Sequence, residues 1–420
     1  MEHRDLSEAD PEVHKALKNE MNRQEFEGLE MIASENFVPK QVLQAQGSIL
    51  TNKYAEGYPG KRYYAGCEHH DRIENLARER ACELFGADHA NVQPHSGSTA
   101  NLAVYGKLVG KGGKILGPVL SHGGHLSHGH GVNMSGDMFD FGTYPVNKET
   151  ERFEKEDVLE AAIEHDPDLI VCGYSAYPRE VDFEMFAEVA EEVDALLMAD
   201  IAHISGLVAA DEHMQPFPHC DIVTTTTHKS IRGARGGMIL CKEEYAEDID
   251  KAVFPYSQGG PLMHQIAGKA VSFNEALKPE FKEYSKQIKK NTEALAEGLK
   301  SKGLRLVSGG TDNHLVLVDL KDEEVTGKEG EKALEDCNIV VNKNAVPYDS
   351  EPPMVTSGVR IGTPALTTRG MKEDEFEEIG EMIGKVLHNP DDESIKSEVR
   401  ERVETLMKDY PLYRETNIEY

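Results

Sequence analysis

The sequence predicts an α/β protein: a large domain with a mostly parallel sheet covered by helices, a smaller C-terminal α+β domain, and an N-terminal arm. Three observations lead there. From about Tyr54 to Phe273, short apolar runs alternate with helical patterns. D-L-I-V-C-G-Y (Asp168 to Tyr174), A-L-L-M-A-D (Ala195 to Asp200) and G-G-M-I-L-C (Gly236 to Cys241) have strand length, and F-E-M-F-A-E-V-A-E-E-V between the first two has helical spacing. Strands separated by helices need crossover connections, so the sheet is mostly parallel with helices on both faces. After Phe273 the character changes to a long charged helix (Glu280 to Lys302), strand-like L-R-L-V-S and H-L-V-L-V-D-L, then further helices. Finally, 420 residues exceed what one compact core usually covers. The expected division is an arm over 1–53 with helices such as E-A-D-P-E-V-H-K-A-L-K-N-E, a large domain over 54–275 and a small one over 276–420.

Charge narrows the classes of function. Forty-five basic against 75 acidic residues leave a formal charge of −30, which repels nucleic acid and anionic membranes. Such acidity reads as adaptation to a salt-rich cytoplasm, where screening shortens self-repulsion to a few ångströms. Cys67, Cys82, Cys172, Cys220, Cys241 and Cys337 form no C-x-x-C pair, the pattern of reduced cytosolic thiols. The N-terminus, M-E-H-R-D-L-S-E-A-D, has neither the basic start nor the apolar core of a signal peptide. No apolar run approaches the roughly 20 residues that span a bilayer. A cytoplasmic location is expected.

The strongest local signal is D-I-V-T-T-T-T-H-K-S-I-R-G-A-R-G-G, Asp221 to Gly237. Lys229 sits between a β-branched strand and a glycine-rich turn, which presents an amine rigidly to a cleft. Burial and the nearby Arg232 and Arg235 would lower its pKa, freeing the amine to form a Schiff base with an aldehyde cofactor. Asp200 ends A-L-L-M-A-D, and a carboxylate at the carboxyl end of a parallel strand points into the ligand crevice. There it can pair with a protonated pyridine nitrogen, as in pyridoxal phosphate. In N-V-Q-P-H-S-G-S-T-A-N-L-A-V-Y, Ser96, Gly97 and Ser98 precede a helical pattern whose N-terminus suits a phosphate dianion. Alone, S-G-S is an ordinary N-cap; with Asp200 and Lys229 following in order, it completes a cofactor set.

Blocks along nearly the whole chain carry a resemblance: L-E-M-I-A-S-E-N, Y-A-E-G-Y-P-G-K-R-Y-Y, G-G-H-L-S-H-G, T-T-T-T-H-K, N-K-N-A-V-P and S-G-V-R-I-G-T-P-A-L-T-T-R-G. In content and order these resemble the serine hydroxymethyltransferase family, fold type I pyridoxal-phosphate enzymes. The resemblance implies a seven-stranded large-domain sheet and transfer of the serine hydroxymethyl carbon to tetrahydrofolate, giving glycine. It implies that Lys229 holds the cofactor as a Schiff base with His228 beside it, that Asp200 meets the pyridine nitrogen, and that His125 stacks on the ring. Ser175 and His203 would flank the phenolic oxygen, and Ser96, Gly97 and Ser98 the phosphate. Arg360 and Ser34 would bind the amino-acid carboxylate. Glu56 would exchange the serine hydroxyl proton beside Tyr54 and Tyr64, and Leu120, Gly124, Leu126 and Asn344 would line the pterin pocket.

Tyr54, Glu56, Gly259 and Gly260 enter the site from the neighbouring subunit in that family, which implies a homodimer with shared sites. Two residues depart from the family pattern: Tyr256 stands where glycine is usual, and Tyr348 where asparagine is usual. The second leaves a modified pterin carrier open, alongside an aldolase acting on β-hydroxy amino acids. His122, His125, His128 and His130 lack the H-x-x-x-H spacing of a helical zinc site, so no metal is expected. If the acidity is an adaptation, the melting temperature rises with added salt; a stability maximum at low salt rejects it.

Overall fold

The computed structural model describes residues 4–412; the outermost three residues of the expected arm and eight of the expected C-terminal domain lie outside the described residues. Seven strands form the large sheet: β1 (His89–Asn91), β2 (Lys114–Pro118), β3 (Asp140–Tyr144), β4 (Leu169–Cys172), β5 (Leu196–Asp200), β6 (Ile222–Thr226) and β7 (Gly237–Cys241). Their spatial order is β1-β7-β6-β5-β4-β2-β3. Only β7 runs against its neighbours β1 and β6, and the remaining pairings are parallel. The sheet is therefore mostly parallel, as the alternation of runs predicts.

Strands covered on both faces are buried at every position, as β4, β6 and β7 are; β4 and β7 are apolar throughout, while β6 buries three threonines. Within β4, Ile170 and Cys172 face one core with Phe183, Phe186 and Phe273. Leu169 and Val171 face the other, against Ala100, Ala103 and Val104 of the Gly97–Val104 helix. That two-residue period fixes which strand ends point where. Because the parallel strands share a direction, the segments leaving β1, β2, β4, β5 and β6 emerge along one edge.

A second sheet of four antiparallel strands follows: β8 (Arg305–Leu306), β9 (Leu315–Asp319), β10 (Asn342–Asn344) and β11 (Gly358–Gly362), in the order β8-β9-β11-β10. Its register sets Arg360 between Leu317 and Asn342. The L-R-L-V-S segment is strand only over its first part, because Val307–Gly309 turns with Ser308 at φ 56°. The arm contributes a helix, Pro11–Phe26, started by Asp10 accepting from the Val13 amide at 3.1 Å. It then adds Leu29–Glu30 parallel to Ile339–Val340. Beyond this pairing it crosses β11 so closely that a Cβ on Gly362 would lie 2.3 Å from Ala33 Cα. That contact anchors the segment bearing Ser34.

Two helices, Pro279–Ser301 and Glu373–Leu387, pack together beside the four-stranded sheet. Their backbones meet at glycines: a Cβ on Gly298 would lie 2.2 Å from the Glu377 carbonyl, and one on Gly380 2.6 Å from that of Leu295. Gly298→Ala is expected to force these helices apart and to destabilise the protein by roughly 1–3 kcal/mol, the usual cost of overpacking. Thermal unfolding at fixed salt checks this; an unchanged melting temperature contradicts the close approach.

Candidate active site

The edge where the parallel strands end encloses a cavity of about 260 Å³. Each wall segment leaves a different strand: Ser96, Gly97 and Ser98 after β1, His125 and His128 after β2, Tyr174 and Ser175 after β4, Asp200 ending β5, and Lys229 after β6. The expected cofactor set is thereby brought into one cavity, at the position where open α/β sheets bind ligands.

Lys229 is half-buried at the cavity wall, and desolvation pulls its pKa down to about 8, with Arg360 and Arg235 adding to the fall and Asp200 opposing it. Arg235 thus acts as expected from the sequence. Arg232 does not: its guanidinium lies 3.8 Å from the centroid of the Tyr284 ring, held by cation–π contact away from the amine. Arg360, far off in sequence, takes that role because β11 carries it to the domain edge.

Asp200 is buried but remains ionised. Burial alone would raise its pKa, yet hydrogen bonds from His128 and Asn101 hold it below the usual carboxylate range. Oδ2 accepts from Asn101 Nδ2 at 2.9 Å and pairs with His128 Nε2 at 3.1 Å; Oδ1 accepts from the Ala202 amide at 3.1 Å. Since the His125 amide donates to His128 Nδ1 at 3.3 Å, His128 carries its proton on Nε2, facing the carboxylate. Asn101 Nδ2 also reaches Ser127 Oγ at 2.9 Å, and that hydroxyl lies 2.7 Å from His125 Nδ1. The Ser127 amide donates to the same nitrogen at 3.1 Å. Burial pushes His125 down to about 4, so a neutral ring is fixed in one tautomer beside the cavity. His203 is likewise kept neutral by burial, its Nδ1 lying 3.3 Å from His314 Nε2.

Ser96 caps the Gly97–Val104 helix, accepting from the Thr99 amide at 3.2 Å. The Gly97 and Ser98 amides precede the first intrahelical bond and line the cavity, as an anion site requires. Gly97 is needed as glycine because a Cβ would lie 2.9 Å from Thr226 Cγ2. Ser175 Oγ donates to the Gly124 carbonyl at 2.7 Å. Arg360 donates to the Ser175 carbonyl at 2.5 Å and to Asn342 Oδ1 at 3.1 Å, which fixes its planar fork beside the cavity. The observed groups therefore fit pyridoxal phosphate: an amine, an ionised carboxylate, a neutral imidazole and a helix N-terminus around one cavity.

Other expected residues stand elsewhere. Ser34 opens on an adjoining cavity of about 380 Å³, whose wall shares His228 and Arg235 with the first. Burial holds His228 near about 3, and its Nδ1 accepts from the Gly236 amide at 3.4 Å. Leu120 and Leu126 are exposed, and Asn344 is half-buried on β10. Tyr54, Glu56, Gly259 and Gly260 form a separate cluster, in which a Cβ on Gly260 would lie 2.8 Å from Tyr54 Cε1 and one on Gly259 3.6 Å from Glu56 Oε1. Tyr64 packs on Tyr54 with ring centroids 5.7 Å apart.

Three residues supporting that cluster escaped the sequence reading. Arg62 donates to the carbonyls on either side of Glu56, Ala55 at 2.8 Å and Gly57 at 2.9 Å, while pairing with buried Glu74 at 2.6 Å. Gln93 bridges Gly57 and Glu74. Of the four histidines weighed as a metal group, His128 serves Asp200, His125 binds Ser127, His130 accepts from the Val132 amide, and His122 lies under Tyr348 with centroids 4.6 Å apart. Tyr348 sits at φ 56°, a region asparagine tolerates better, and its hydroxyl donates to the Val146 carbonyl at 2.6 Å. The Tyr256 ring lies over Gly106, whose added Cβ would be 2.7 Å away.

A strand-edge cavity lined by a desolvated lysine and an ionised aspartate is what a pyridoxal-phosphate enzyme of the α/β type requires. The chain matches the serine hydroxymethyltransferase family over residues 6–383 and belongs to it. It is accordingly a pyridoxal-phosphate-dependent one-carbon transferase. No helix of the described residues is long and apolar enough to cross a membrane.

In cofactor-free protein, reductive trapping of Lys229 by a small aldehyde is expected to rise with pH and reach half its limit near about 8. Below that pH the ammonium dominates; ordinary lysines need roughly pH 10. Mass mapping of the labelled peptide checks this, and a midpoint near pH 10 contradicts the buried amine.

Proposed function

We propose that the enzyme reversibly transfers the hydroxymethyl carbon of serine to tetrahydrofolate, giving glycine and 5,10-methylenetetrahydrofolate, as a cytoplasmic homodimer with shared sites. The observation that carries this is the Lys229–Asp200 cavity with Arg360 at its side, within a chain of the serine hydroxymethyltransferase family. When bound, pyridoxal phosphate supplies an electron sink that weakens bonds at the substrate's Cα.

Lys229 would hold the cofactor through its aldehyde; with a pKa of about 8 its amine accepts and releases a proton at working pH. Asp200 would hold a proton on the cofactor's pyridine nitrogen, and Asn101 and His128 keep Asp200 ionised for that role. The neutral His125 ring would cover one face of the cofactor without adding a further cation to Lys229, Arg235 and Arg360. Ser175 and His203 serve the phenolic oxygen, and Ser96, Gly97 and Ser98 the phosphate. Arg360 grips the substrate carboxylate with the guanidinium edge left over from Ser175 and Asn342, with support from Ser34. That grip would fix the orientation of the substrate's Cα bonds, and so which of them is weakened. Leu120, Gly124, Leu126 and Asn344 receive the pterin.

Glu56 holds the proton of the serine hydroxyl while the Cα–Cβ bond breaks, flanked by Tyr54 and Tyr64. The exposure of Tyr54 (64 %), Tyr63 (73 %), Tyr256 (57 %) and Ile49 (83 %) around this cluster supports burial against a second copy of the chain. Free cysteines throughout support a reducing, cytoplasmic setting.

The decisive assay is serine-to-glycine conversion by cofactor-loaded protein at high salt, with and without tetrahydrofolate. Strong stimulation by tetrahydrofolate is expected; cofactor colour without stimulation points to a modified pterin or to an aldolase. Lys229→Ala and Glu56→Gln should each be inactive alone, and mixing the two chains should restore activity, because a mixed dimer contains one intact site. Failure of the mixture to recover places Glu56 in its own chain's site.

A further inference from the structure

Lys269 is a buried cation that the chemistry above does not use. It lies in the Met263–Ala276 helix and is 2 % exposed. Its Nζ donates to three backbone carbonyls: Val92 at 2.6 Å, Pro94 at 3.1 Å and Gly237 at 2.8 Å. Three acceptors use all three hydrogens of an ammonium, whereas a neutral amine would turn its lone pair toward a carbonyl. The ammonium form is therefore the one this geometry holds, against a burial that pulls the group down to about 7.

The three carbonyls belong to two segments that frame the Ser96–Ser98 turn. Val92 and Pro94 lead from β1 into it, and Gly237 opens β7, its amide donating to the Pro94 carbonyl at 3.0 Å. Both glycines of the R-G-G run make room for this arrangement. A Cβ on Gly236 would lie 2.5 Å from Lys269 Cε, and one on Gly237 2.3 Å from the Ser96 carbonyl. Drawing the carbonyls of this loop toward one buried charge sets the peptide planes that deliver the Gly97 and Ser98 amides to the cavity. It also places a fixed positive charge behind a dianion site, screened by protein rather than water.

We propose that Lys269 is a positioning residue for the cofactor's phosphate, acting through the Val92–Ser96 loop without touching the cofactor. This rests on the pyridoxal-phosphate reading of the cavity. The charge also draws on Glu74, the buried partner of Arg62.

The test is equilibrium binding of pyridoxal phosphate and of pyridoxal, which lacks the phosphate, to cofactor-free wild-type protein, Lys269→Met and Gly236→Ala. Gly236→Ala keeps the charge but pushes the end of the Lys269 side chain from its place. Lys269→Met is expected to weaken pyridoxal phosphate by roughly 10- to 100-fold, the range for hydrogen bonds to a charged group. Pyridoxal affinity should change little, and Gly236→Ala should shift the ratio in the same direction by less. A purely structural lysine would weaken both ligands equally, and that result, or an unchanged ratio in both variants, overturns the proposal. If Lys269→Met does not fold, an unchanged ratio in Gly236→Ala still overturns it. Wild-type protein that binds neither ligand would instead sink the cofactor reading itself.

Discussion

The site depends on keeping one carboxylate charged where there is almost no water. Asp200 ends β5 inside the sheet edge, and an unpaired charge there would cost several kcal/mol. Its three hydrogen bonds come from three different segments: Asn101 in the helix after β1, His128 in the loop after β2, and the Ala202 amide beyond its own strand. Satisfying Asp200 therefore ties together the phosphate-side helix and the loop that carries His125. Asn101 extends the tie through Ser127 to the His125 ring. Tautomer, ring position and carboxylate charge are thus parts of one network, and a change at any member propagates to the others.

The same economy of charge explains the histidines. His125, His203, His228 and His314 are all held neutral by burial, within reach of Lys229 and of Arg360 or, for His228, Arg235. Protonating any of them would add a further cation to a site that already holds Lys229, Arg235 and Arg360. Neutral imidazoles supply flat surfaces and hydrogen bonds there without competing for the anionic groups that the ammonium and guanidinium are placed to bind.

How much of this was legible in the sequence follows from which interactions are local. Strand runs such as Leu169–Cys172 and the Ser96 cap announce themselves through apolar continuity and through a side chain bonding three residues on. Lys229 and Asp200 were readable because each sits a fixed step from a strand end. Arg232 departs from the sequence expectation because its guanidinium meets Tyr284, more than fifty residues away, rather than the Lys229 amine three positions before it. His128 was read only within a possible metal group, since its partner Asp200 is 72 positions distant. The L-R-L-V-S strand ends earlier than its apolar pattern predicts because nothing in the composition marks Ser308 for a left-handed backbone.

The deepest omission, the support beneath Glu56, has a physical cause of its own. Arg62, Glu74 and Gln93 look like ordinary polar residues of a hairpin, a helix and a strand end, and polar residues are usually solvated. Here they are buried beneath the Glu56 loop, whose Ala55 packs into the main core. The carbonyls on either side of Glu56 are gripped by a charged fork, at 2.8 and 2.9 Å. The fork's charge must in turn be met, which places Glu74 and Gln93 beneath it. Gln93 lies between Val92 and Pro94, the residues whose carbonyls Lys269 holds. One short stretch after β1 is thereby fixed from both sides, toward this chain's own phosphate turn and toward the carboxylate offered to a second copy. Rigidity at both ends of the chemistry comes from the same buried charges.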